Sequence, residues 1–225
     1  MRELLRPGFQ AIRKNWLPML LIQVIAFLLV FSFYRFEGVR EATSWIARAK
    51  ESGGEVFVIV AGACAGGVIP QIAKTITGKA GRIDRLFFED SAYAALVFAV
   101  MAVQVDALYR CQIVFFGAGH DPATLAKKTT LDLFFFSPLL FNPVAMLMMH
   151  ARQTGFKLSG LRYVFTWSFY SSRVLPTLPI NWAFWIPILL CVYSLPSLLQ
   201  FPFAQLAEAC WSLVFLFIAE DAATK

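Results

Sequence analysis

Four polar side chains interrupt stretches that are otherwise apolar: Asp106, Asp132, Asn142 and Glu208. A carboxylate at membrane depth is costly unless it is paired or faces water, so acids placed there can hold a cation, relay a proton or line an aqueous path. Arg110 follows Asp106 at i,i+4 on the same helix face and offers it a counter-charge. Gln205, Glu208 and Ser212 recur at i, i+3 and i+7, a single polar stripe that must face protein or water. The first expectation is that Asp106, Asp132 and Glu208 converge on one lumen, with Arg110 or Arg173 as counter-charges. The alternative is that each acid has a fixed structural partner and no continuous path exists.

Hydrolytic, redox and metal chemistry find little support. His120 lies in a Gly-Ala-Gly-His-Asp-Pro loop, where Asp121 would cap and Pro122 would open the next helix. His150 closes an apolar run, where a helix C-terminus favours a cation. Neither has an HxxxH or HxxE partner, and residues 157–160 lack the leading glycine of an intramembrane GxSG site. Cys64, Cys111, Cys191 and Cys210 are far apart and form no CxxC pair. No catalytic residue, metal site or cofactor is expected, and the chain is read as non-enzymatic.

The elements that must position these residues follow from composition. The 225 residues are 59% hydrophobic and only 15% charged, where about 25% charged is usual in a soluble domain. A soluble globule built this way would expose large apolar patches, and disorder or a small disulfide scaffold is excluded equally. The net charge of +6 lies between apolar segments, where basic residues orient helices and meet headgroups. No nucleic-acid module is present. The expected fold is an all-α integral membrane protein: a single domain of about five to six mostly transmembrane, proline-kinked helices plus an interfacial amphipathic helix.

Residues 16–34 carry no charge and are bracketed by Trp16 and Tyr34, which suit two headgroup levels. The segment before them has Glu3 and no small-residue cleavage site, so it is expected to be retained. Residues 36–55 read as a surface connector ending at Ser52-Gly53-Gly54. The second span, 56–73, is rich in small residues: Gly62 and Gly66 form GxxxG with Gly67 beside it, and Pro70 kinks the end. That face suits either tight packing within the bundle or a homo-oligomer seam. The third span covers 91–109. The fourth, 129–149, contains Pro138 and the Asn142-Pro143 pair, so its freed carbonyls need donors.

Residues 157–173 alternate an apolar and a polar face and read either as an interfacial helix or as one packed on the bundle. A broken fifth span at 180–199 and a final run at 203–219 follow, either as two spans or as one kinked element. With six spans, thirteen of the 20 Lys and Arg fall on the side of both termini, which favours a cytoplasmic or matrix location for them.

Three stretches resemble the Mpv-type peroxisomal and mitochondrial inner-membrane protein family. The most specific is C-terminal: Asn181-Trp182, then Trp185 with Pro187, Leu195-Pro196, and Trp211. A second is Lys127-Lys128-Thr129-Thr130-Leu131-Asp132 followed by Ser137-Pro138. A third runs from Gly62 to Lys74, with Asp84-Arg85 and Tyr109-Arg110 beyond it. The resemblance implies a pore-forming, weakly selective channel for small metabolites or ions, with a role in membrane homeostasis. It implies a bacterial cytoplasmic, mitochondrial inner or peroxisomal membrane as the location. The alternative function is a structural or assembly protein that binds lipids or a partner helix.

Overall fold

Two acidic caps set helix starts. Asp84 accepts the Phe87 N–H at 3.2 Å and opens a helix that runs to Phe116, where Gly117 at φ 78° ends it. Asp121 accepts the Thr124 N–H at 3.1 Å, with Pro122 in the first helical turn. An Asp side chain satisfies one orphan amide of the first turn, and proline there sacrifices no internal bond. The computed structural model describes residues 2–77, 83–157 and 162–223, which contain helices and no strand.

The helices are α1 (Arg2–Arg35), α2 (Glu37–Gly62), α3 (Ile69–Ile76), α4 (Arg85–Phe116), α5 (Pro122–Leu131), α6 (Asn142–Gln153), α7 (Leu178–Ser194) and α8 (Ser197–Ala223). Wider π-helical segments, Ala63–Val68 and Asp132–Phe141, join α2 to α3 and α5 to α6. Among the described residues, five helical runs are long and apolar enough to cross a membrane: Leu4–Arg35, Glu37–Ile76, Arg85–Phe116, Pro122–Gln153 and Trp167–Ser194.

α7 is the centre of the bundle. Phe184, Ile188, Val192 and Tyr193 have no accessible surface, and α1, α5 and α8 pack around them. α1 is peripheral, and Trp16, Leu17, Leu21, Phe27 and Phe31 on it are exposed. An exposed apolar stripe of that length suits hydrocarbon rather than water.

Several boundaries differ from the sequence reading. The connector and second span are one helical run broken at Gly54, whose φ of 49° and ψ of −126° lie outside the helical region. Glycine takes that conformation without the Cβ clash other residues suffer. The amphipathic stretch 157–173 is not one helix: Thr166 is extended and caps a new start at Trp167, so its second half belongs to the fifth run. Leu158, Ser159 and Leu161 lie outside the described residues. The last two runs are separate helices, divided where Leu195 turns extended before Pro196.

The Gly62 face packs inside the chain. A Cβ on Gly62 would lie 2.2 Å from the Ala102 Cβ, one on Gly66 would lie 1.9 Å from Phe98 Cδ1, and one on Gly67 would lie 2.5 Å from the Ala95 Cα. α4 therefore occupies the face on which a second copy was one expectation.

Candidate functional site

Prolines shape the walls of the site, and each of three leaves a backbone carbonyl that another element satisfies. In the π segment the Asn142 N–H reaches back five residues to the Ser137 carbonyl. In that register Pro138 fails to serve Leu133 and Pro143 fails to serve Pro138. The Trp182 indole N–H donates to the Leu133 carbonyl at 2.9 Å, and the Tyr170 hydroxyl donates to the Pro138 carbonyl at 3.2 Å. In α7, where the register is four, Pro187 leaves Ala183 unserved, and Gln23 of α1 donates to that carbonyl at 2.9 Å. Away from water each such donor prevents the cost of an orphaned carbonyl.

Between these walls lies a chamber of about 60 Å³, lined from α4, the second π segment, α7 and α8. A cavity of that size has room for a few waters. Asp132 and Glu208 face it from different helices, joined by Ser137, Asn181, Gln205 and the ring of Tyr109. Among the described residues no Lys, Arg or His lines it. The Tyr193 hydroxyl donates to Asp132 Oδ2 at 2.6 Å, and the Tyr109 and Tyr193 rings meet edge to face at 5.3 Å. The Ser212 hydroxyl reaches Glu208 Oε1 at a long 3.4 Å, and Asn181 Nδ2 donates to the Ser137 hydroxyl at 3.1 Å. Such a chamber can accept a cation or a proton, because either supplies the charge the two carboxyls lack.

Asp106 belongs elsewhere. Its Oδ1 lies 2.5 Å from Lys50 Nζ and its Oδ2 lies 2.6 Å from Arg110 Nη2, which also reaches Glu55 at 2.6 Å. Two acids and two bases thus neutralise each other across the Gly54 break, tying α2 to α4. Lys50 Nζ also sits 4.9 Å from the centroid of the Phe201 ring, a cation–π contact.

Of the acids expected to converge, Asp132 and Glu208 do so, and Asp106 does not. Arg110 serves Asp106 rather than the chamber, and Arg173 does not line it. Asn142 is buried with its amide nitrogen unpaired and lies outside the chamber. The family-like residues all do local work: Asn181 and Trp185 line the chamber, Trp182 serves the π segment, Pro187 needs Gln23, Pro196 follows the break between α7 and α8, and Trp211 stacks on Phe184 at 4.2 Å.

Lys50, Tyr193 and Gln23 were missed. Each looks ordinary in its own segment, and its partner lies 56 or more residues away.

The loop that holds His120 folds over the end of α7, where His120 Nδ1 lies 3.0 Å from the Tyr193 carbonyl. A carbonyl only accepts, so Nδ1 carries the proton. The hydrogen bonds Asp121 accepts from Thr124 hold its carboxyl below the usual range. Among the described residues no group of three His, Cys, Asp or Glu could hold a metal ion, and all four cysteines are free. No family model, curated protein or solved structure matches the chain.

Proposed function

We propose that this protein is a membrane passage of low selectivity for small solutes or ions, with the chamber as its central compartment. One observation carries the reading: Asp132 and Glu208 come from separate helices to one shared space that, among the described residues, no basic side chain lines. Polar groups at that depth are tolerated where they line a cavity. Three of the runs long enough to span a bilayer, together with α8, line that space, and the resemblance of Asn181-Trp182, Trp185, Pro187, Pro196 and Trp211 to the Mpv-type family agrees with the reading. The proposed role is non-enzymatic and rests on passage rather than chemistry.

Solute release from liposomes containing the purified protein tests this. Wild type releases small solutes, and Asp132→Asn and Glu208→Gln change which solutes pass while the fold is kept. Well-folded protein that releases nothing over varied voltage, pH and redox conditions would favour a second reading, a structural or assembly protein binding lipid or a partner helix. That reading draws on the fixed pairing of Lys50, Glu55, Asp106 and Arg110, which uses up ionic groups without opening a path.

A further inference from the structure

A second cavity, of about 360 Å³, lies between α1, α2 and α8 and is almost wholly apolar. Gln205 lines both this groove and the acidic chamber, so the two spaces adjoin at this residue of α8. Leu29, Trp45 and Leu206 line the groove and are also exposed on the outside of the bundle, so the groove borders the lipid-facing surface. The chamber combines two carboxyls with the aromatic rings of Phe98, Tyr109 and Trp185 and, among the described residues, has no basic side chain in its wall.

We propose that the two spaces form one site for a single-chain amphiphilic primary amine drawn from the surrounding bilayer, its ammonium at Asp132 and Glu208 and its hydrocarbon tail past Gln205 in the groove. This rests on the reading of the chamber as a solute compartment and assigns that compartment a ligand class. The charge argument selects the head: an ammonium brings a positive charge to a space lined by two acids and gains from aromatic faces, whereas an alcohol or an anion brings no counter-charge. The lining selects the tail, since the groove offers hydrocarbon contact along its length. A small hydrophilic cation would fill only the chamber and leave the groove to lipid.

Full-length protein in phosphatidylcholine nanodiscs is exposed to tetradecylamine carrying a diazirine near the tail end, irradiated, and mapped by peptide mass. Saturable labelling of Phe57, Leu199 or Leu206 is expected, displaced by unlabelled tetradecylamine and not by tetradecanol. In Asp132→Asn and Glu208→Gln, the concentration needed for half-labelling rises about tenfold or more, as loss of a charge-assisted contact demands. Equal displacement by tetradecanol in wild type overturns the proposal without relying on any variant, and so does unchanged labelling in both acid variants. A parallel liposome assay with ethylammonium separates the two failures. Acid-dependent ethylammonium passage without specific labelling removes the amphiphile site and leaves the passage standing; neither passage nor labelling removes both.

Discussion

The indole N–H of Trp182 stands in for the N–H that Pro138 lacks: it donates to the Leu133 carbonyl at 2.9 Å, the acceptor that the five-residue register assigns to residue 138. Without it the π segment that carries Asp132 and Ser137 into the chamber would hold an orphaned carbonyl in an apolar setting. Trp182→Phe keeps most of the ring and removes the donor, so it should destabilise the protein by about 1–3 kcal/mol. Pro138→Ala restores a backbone donor, and the double variant should lose less than the sum of the singles. Denaturant unfolding in detergent micelles measures the cycle; strict additivity would break the assignment.

How much of this was legible beforehand depends on range. Asp121 as a cap, the break near Gly54, the tight Gly62 face and the pairing of Asp106 with Arg110 all rest on residues within a few positions of one another, and local spacing encodes them. The need for donors near Pro138 was also readable from proline's missing N–H. Which donors answer it was not, because Trp182, Tyr170 and Gln23 come from remote helices and nothing in their own segments marks the partner. The same holds for Lys50: a lysine in a charged surface stretch gives no sign that it reaches Asp106. The expected single helix over 157–173 failed because helical periodicity continues across Thr166, where one extended residue resets the axis.

The ion cluster predicts a ranking. Asp106→Leu strands Lys50, whose side chain is 10% exposed, and should cost about 3–5 kcal/mol, as for a buried charge without a partner. Lys50→Met leaves Arg110 on Asp106 and should cost less, about 2 kcal/mol. Arg110→Ala, at a side chain 57% exposed, should cost about 1 kcal/mol or less. Unfolding free energies in micelles read the order, and an Arg110→Ala loss equal to that of Asp106→Leu would contradict it.

Gly66→Ala should be poorly tolerated. Its new methyl would meet the Phe98 ring well inside contact distance, and overpacking of this kind costs about 1–3 kcal/mol. Phe98→Leu in the same chain should recover part of that loss by yielding space. Thermal unfolding of the two variants checks it, and a neutral Gly66→Ala would mean that α4 does not press on this face.

Asp121 gives a pH dependence outside the membrane-spanning runs. Its hydrogen bonds with Thr124 hold the folded carboxyl below its usual value. The contribution of the cap is therefore complete above the ordinary carboxylate pKa and is lost as pH falls through the lowered one. Asp121→Asn keeps a capping oxygen and removes the titration. Acid unfolding of wild type should thus include a step that Asp121→Asn lacks, and superimposable profiles would refute it.

Side-chain accessibility tests the central claim most directly. Ser137 lines the chamber beside Asn181, and Ser137→Cys, in a chain whose four native cysteines are replaced, places a small thiol there. In proteoliposomes a water-soluble, positively charged methanethiosulfonate should modify this thiol and cut solute flux in step with the extent of modification. Complete modification with flux unchanged, or a thiol that stays unmodified while solute passes, would contradict a passage through this chamber.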